Sequence, residues 1–385
     1  NTDRSTAFMT IGPVSTQFFH FRQPFKLDSG ETLDAITLAY ETYGELNNDA
    51  SNAILLFHAL TGSHHAAGVN KSVPGIEPLW TDECIMGWWD DFIGPGKALD
   101  TDIYCVVCIN YLGSCYGSTG PRSINETTGQ PYGSQFPKIS AGDVVRSQLR
   151  LLEHLGIRCL YAAVGGSLGG MLAMLLATRF PEWVKTVMPI ASGFQTTVLQ
   201  RVQNFEQIVA IQNDPHFNNG DYYNGPHPKS GIILARMISH KTFVSLSVLE
   251  KRARQEVTQQ NIDGQQYELS TPIESYMFYQ GKKFAERFDA NSYLRIMDLW
   301  QRYSLEAVTP EIFRECKHQQ YLIFSVDSDV CFYPEEQFSI VRALEGAGVP
   351  VKYITVHSNK GHDSFLLEPE LYEPYIRFVL NNAAL

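Results

Sequence analysis

Short apolar runs and helical stretches alternate along most of this chain. Ala53–Phe57 is an unbroken apolar run, as expected of a central parallel strand. Residues 103–109, 159–164, Val184–Ile190, Gln320–Val326 and Val351–Val356 read as further strands. Gln17–Phe21 and Ile36–Tyr43 carry β-branched and aromatic residues with partial alternation, which suggests antiparallel strands near the start. Apolar positions at helical spacing predict helices over residues 141–155, 171–178, 334–348 and 368–382. Strands alternating with helices build a mostly parallel central sheet from βαβ units, so the fold class is α/β.

One junction stands out. Residues 159–164 run into Gly165-Gly166-Ser167-Leu168-Gly169 and then into the helix at 171–178. A serine in Gly-x-Ser-x-Gly on a strand–turn–helix junction is the nucleophile elbow of an α/β-hydrolase sheet. The tight turn forces Ser167 into a strained backbone. A Cβ at Gly165 or Gly169 would collide with the neighbouring strand and helix.

From about residue 195 to 314 the pattern changes to helices rich in Gln, Arg, Tyr and Phe, among them Val198–Gln212, 231–240 and 291–303. An insertion of this kind after a sheet strand is expected to form a helical cap over the site. The expected division is a core over 1–194, a cap over 195–314 and the rest of the core over 315–385.

A serine hydroxyl needs a base, and the hydrolase order is Ser, then Asp or Glu, then His, each just past a strand end. The strand at 320–326 leads to Asp327 and Asp329. The strand at 351–356 leads to His357 and His362. Asp327 still belongs to its strand end, and Gly361 lets the last loop fold back, so Asp329 and His362 are the expected partners of Ser167. The oxyanion hole is expected from the N–H of Leu168, which follows the serine, and from the N–H of Leu60 in the loop after Ala53–Phe57.

Composition narrows the class. A formal net charge of −11 over 385 residues argues against a nucleic-acid partner. No apolar run reaches membrane-spanning length, and the start lacks the apolar region of a signal peptide. Seven cysteines, an odd number, fit reduced thiols and a cytoplasmic location. Cys105 and Cys108 lie three apart on one strand and so face opposite sides, which argues against a redox pair. His58, His64 and His65 cluster, yet no carboxylate joins them at ligand spacing, so no metal is expected.

Several segments together resemble the homoserine O-acyltransferases, of the acetyltransferase type with an α/β-hydrolase fold. They are HALTG at 58–62, GWWDDFIGPGKALDT at 87–101, GSTGP at 117–121, GGSLGGM at 165–171, DP at 214–215, LARM at 234–237, ERFDANSYL at 286–294 and GHDSFL at 361–366. The resemblance implies acyl transfer from acyl-CoA, acetyl-CoA favoured, to Ser167 and then to the hydroxyl of homoserine, in methionine biosynthesis. It gives Asp329 as orienting acid and His362 as base. It puts the acceptor-binding arginine on Arg236 and an acidic residue for the acceptor's ammonium on Asp363. It implies acyl-CoA as co-substrate with no further cofactor, and a homodimer meeting through the cap.

Three positions depart from the family's usual pattern: Gly113-Ser114-Cys115-Tyr116 for the commoner GGC loop, Phe243 where tyrosine is usual, and DVCFYP at 329–334. They leave open a succinyl donor and a serine acceptor. A plain esterase on the same fold differs only in letting water attack the acyl-enzyme; Arg236 and Asp363 favour transfer.

Overall fold

A computed structural model describes residues 10–253, 267–304 and 307–383. Its centre is an eight-stranded sheet: β1 Gln17–Phe21, β2 Ile36–Tyr43, β3 Ala53–Phe57, β4 Cys105–Ile109, β5 Leu160–Gly166, β6 Val184–Ile190, β7 Gln320–Val326 and β8 Val351–Val356. The spatial order is β1-β2-β4-β3-β5-β6-β7-β8. Strand β2 runs antiparallel to both β1 and β4, and the remaining pairs are parallel.

Helices cover both faces. Leu55 and Phe57 of β3 pack toward helices α1 (Ala141–His154) and α2 (Leu168–Arg179), while Ile54 and Leu56 pack toward the other core. That double burial is why β3 reads as an unbroken apolar run. Cys105 and Cys108 likewise fall in opposite cores, and all seven cysteines are free thiols. Helix α2 is buried from Leu168 through Ala177, so its sequence shows no polar face.

Between β6 and β7 the chain leaves the sheet to build the cap. Its helices are α3 Val198–Gln212, α4 Lys229–Phe243, α5 Leu246–Ala253, α6 Pro272–Arg287 and α7 Ala290–Gln301. Capping boxes at Thr197 and Thr271 and the Asp289 side chain fix three of their starts. The chain then returns as β7, α8 (Pro334–Gly346), β8 and α9 (Glu373–Asn382).

Several element ends shift from the sequence expectation, and two of the shifts have a plain physical reason. The last helix begins at Glu373, not at 368, because Pro369 opens a separate short turn, Pro369–Leu371. The helix after the serine begins at Leu168, not 171, since Gly169 and Gly170 are inside it despite their low propensity. Among the described residues no single helix is long and apolar enough to cross a membrane.

Candidate active site

Ser167 joins β5 to α2 at φ 56° and ψ −127°, a region that residues with a Cβ rarely occupy. Tertiary bonds hold it there: its N–H donates to the Ile190 carbonyl at 2.9 Å, and its carbonyl accepts from Ser192 Oγ at 2.6 Å. A Cβ on Gly165 would run into the Gly169 backbone, and one on Gly169 into the Phe57 carbonyl. Both glycines are thus required by close approach of strand and helix.

Asp329 lies just past β7. Its Oδ1 accepts from the N–H groups of Cys331 at 2.8 Å and Phe332 at 2.9 Å. Its Oδ2 lies 2.7 Å from Nδ1 of His362. A carboxylate on Nδ1 selects the tautomer protonated there, leaving Nε2 as the proton acceptor. The imidazole is wedged between rings, with Phe332 stacked at 5.5 Å and Phe365 edge-on at 5.5 Å. Burial works to depress its pKa, but the facing Asp329 carboxylate, with Asp363 adding, lifts it above the ordinary value. Ser167 and His362 line one cavity of about 180 Å³. The other two candidates pair with each other: His357 Nδ1 meets Asp327 Oδ2 at 2.9 Å on the surface.

Leu60 sits in a tight turn closed by Gly62 N–H donating to the Ala59 carbonyl at 3.1 Å. His58 props this turn through Nδ1 to the Ala59 carbonyl at 2.8 Å, and Tyr111 Oη donates to the His58 carbonyl. Leu60 lines the cavity, and Leu168 begins α2 beside Ser167. Neither N–H has a hydrogen-bond partner among the described residues. Two free donors beside a serine suit an anionic oxygen.

The cavity wall holds Arg236, from α4, and Asp363. The Arg236 guanidinium lies 4.7 Å from the Phe284 ring centre and 5.2 Å from that of Phe243. Its Nε and Nη1 are buried without a partner, and no cap carboxylate is within ion-pair range among the described residues. Burial, and then the nearby Arg287, lower its pKa. Asp363 does not cap the helix it precedes; burial pushes its carboxyl up to about 6, against the pull of His362 and Arg236. Phe243 puts an apolar ring 6.1 Å from that of His362.

Trp88, Trp300 and Arg287, to which the sequence assigns no role, also line the cavity. Trp88 and Arg287 fall inside the segments 87–101 and 286–294, so motif membership was the available signal. Trp300 had none. Its indole lies flat on Phe332 at 5.5 Å, and its Nε1 is buried without a partner.

The histidine cluster has another task. His65 Nδ1 lies 2.8 Å from Glu41 Oε2, and Glu41 also accepts from Tyr43 Oη at 2.6 Å and Asn70 Nδ2 at 2.8 Å. The carboxylate absent from the local sequence arrives from β2, as the acceptor of a buried hydrogen-bond cluster.

A mostly parallel sheet with a serine elbow after β5 and a buried acid–histidine pair after β7 and β8 is the layout of an α/β hydrolase. A family profile for the alpha/beta hydrolase fold matches residues 52–369. Among curated proteins, the chain is 41% identical over 381 residues to a homoserine O-acetyltransferase of Methanosalsum zhilinae, covering 97% of this chain and 74% of that protein. It is 40% identical to a homoserine O-succinyltransferase of Nitrosomonas europaea, over 98% of both chains. Among solved structures, esterase E22 superposes with a TM-score of 0.84 at 26% identity, over 95% of this chain and 99% of that one. The chain belongs to the homoserine O-acyltransferase family.

Proposed function

We propose that this protein moves an acyl group from acyl-CoA, acetyl-CoA favoured, to the side-chain hydroxyl of L-homoserine in methionine biosynthesis. The route is ping-pong through Ser167. His362 Nε2 takes the Ser167 proton as Oγ attacks the thioester carbonyl. The N–H groups of Leu60 and Leu168 hold the resulting oxyanion. The C–S bond breaks, the CoA sulfur leaves with the proton from His362, and Ser167 carries the acyl ester. The acceptor hydroxyl then gives its proton to His362 and attacks that ester. Collapse returns the proton to Ser167 and releases O-acyl-homoserine. Asp329 holds the imidazole tautomer and its charge throughout.

What favours transfer over hydrolysis is the Arg236 guanidinium, whose Nε and Nη1 are buried without a partner in the wall that also carries Asp363. One cation and one carboxylate match the two charges of a free amino acid. The esterase reading draws on the likeness to esterase E22, with water in place of the acceptor.

The test is to mix the protein with acetyl-CoA or succinyl-CoA, with and without homoserine or serine, following thiol release and intact mass. Expected are one acyl group on the native chain, none on Ser167→Ala, and fast turnover only with an acceptor. Acyl-CoA hydrolysis at the same rate without acceptor would establish the esterase.

A homodimer through the cap belongs to the same reading. Val198, Val202 and Phe205 are exposed along one face of α3, with Leu199 beside them. Phe205→Glu should convert the dimer to monomer in sedimentation. An unchanged mass would move the interface elsewhere. A cytoplasmic location accords with the seven free thiols.

A further inference from the structure

Arg287 is the last residue of α6 and reaches from the cap into the core. Its Nη1 donates to the Thr61 carbonyl at 3.0 Å and to Tyr116 Oη at 3.1 Å. Tyr116 Oη donates in return to the Arg287 carbonyl. That carbonyl ends a helix and has no helical partner, so the tyrosine both caps α6 and fixes the arginine. Glu83 lies 3.6 Å from Nε on the outer side, and Lys283 lies 2.6 Å from the same carboxylate.

Thr61 directly follows Leu60. The two are the central residues of the Ala59–Gly62 turn, whose closing bond is Gly62 N–H to the Ala59 carbonyl. His58 and Tyr111 steady the core side of that turn. The Thr61 carbonyl is its outer grip, and Arg287 is what holds it. The direction of the Leu60 N–H depends on the tilt of the turn, so both grips bear on it.

We infer that Arg287, locked by Tyr116, is a positioning residue for the oxyanion turn, tying the cap to the stabilisation of both tetrahedral intermediates. This rests on the acyl-enzyme reading given above. Arg287 shares the Phe284 ring with Arg236, at 5.1 Å and 4.7 Å from its centre. The two arginines therefore stand on one wall with separate tasks: Arg236 meets the acceptor, and Arg287 sets the turn.

The separation gives the test. Arg287→Met, Arg287→Lys and Tyr116→Phe are compared with the native protein for thiol release from acyl-CoA alone and for full turnover with homoserine. A misaligned oxyanion donor slows both half-reactions, so kcat should fall about tenfold to a hundredfold in Arg287→Met, with both KM values within about threefold. Arg287→Lys should recover part of the loss. Tyr116→Phe removes a single oxygen, keeps the fold, and should lose several-fold in the same two steps. A boronic acid that forms a tetrahedral adduct on Ser167 should bind more weakly by the factor lost in acyl-enzyme formation. A purely structural role would leave that affinity per folded molecule unchanged. Native-like acylation in Arg287→Met and Tyr116→Phe, or a loss confined to the acceptor's KM, would overturn the inference while acylation of the native protein still stood. If the native protein takes up no acyl group, the acyl-enzyme reading fails first.

Discussion

His357 and Asp327 form an exposed hydrogen-bonded pair at 2.9 Å, beside the buried pair of His362 and Asp329 at 2.7 Å. The same two loops thus carry two Asp–His contacts, and only the buried one borders the cavity with Ser167. Solvent screens the outer pair, whose contribution is small. The inner carboxylate is held by two N–H groups and can fix the tautomer of its histidine.

Variants of the two pairs should therefore separate sharply. His362→Ala should lower kcat by several orders of magnitude, and Asp329→Asn by about 10⁴. His357→Ala and Asp327→Asn should stay within a few-fold of native. Steady-state turnover with acyl-CoA and homoserine is the measurement, and a reversed ranking in either pair would exchange the assignments.

Arg236→Leu should spare the first half-reaction and damage the second. A charge-assisted hydrogen bond is worth roughly 1.5–3 kcal/mol, so kcat/KM for the acceptor should fall at least about tenfold. Asp363→Asn should behave alike. Thiol release in the absence of acceptor should remain close to native. Equal losses in both half-reactions would mean that these residues maintain structure instead of holding the acceptor.

The two half-reactions should also differ in pH dependence. His362 must be neutral to take a proton, and its pKa is raised, so acylation should decline as pH falls through a value above 6.5. Asp363 must be ionised to hold an ammonium and is pushed up to about 6. Transfer to homoserine should therefore lose a second factor as pH drops below about 6. The acid limb of kcat/KM for homoserine should be steeper than that for acyl-CoA. Asp363→Asn should bring the two limbs together; two equally steep limbs in the native protein would refute this.

Glu41 offers a stability test away from the chemistry. It is 1% exposed and accepts from His65, Tyr43 and Asn70. Glu41→Ala strands those donors and should cost about 3–5 kcal/mol in urea unfolding. Burial works to raise the Glu41 pKa, but His65, His64 and Tyr43 outweigh it and hold it low. Its contribution is present above the unfolded carboxylate value and is lost as pH falls through the lower folded value. A loss under about 1 kcal/mol would show that the cluster relaxes around the gap.

The sheet was legible because β3 is an apolar run and β5, β6, β7 and β8 are rich in apolar, β-branched and aromatic residues, and because Gly165, Ser167 and Gly169 are forced by one steric problem. The order of acid and histidine followed from the fold's topology. The choice of His362 over His357 rests on Gly361, which adopts φ 71° against the backbone of Ser245, and that of Asp329 over Asp327 on the end of β7 at Val326. The wall of the cavity was much less legible. Trp88 comes from a core loop, and Arg287 and Trp300 come from the successive helices α6 and α7; no local periodicity records that the three meet. The role of Glu41 was hidden for the same reason: β2 brings it to His65 across the fold, whereas ligand spacing is read along the chain.

The placement of the cap between β6 and β7 bears on how the chain folds. These neighbouring strands pair at Thr186 with Gln320, Val187 with Tyr321 and Ile190 with Phe324, with the described cap helices α3 to α7 between them in sequence. Closing so long a loop is entropically costly before any contact rewards it, and pairings of that kind are slow. Folding should thus proceed by early docking of α2 on β3 and β5, with β7 and β8 added last. In hydrogen-exchange labelling during refolding, amides of β5 should gain protection before those of β7. On that schedule the strained Ser167 is formed well before His362 arrives, so a half-folded chain carries the elbow without the proposed base.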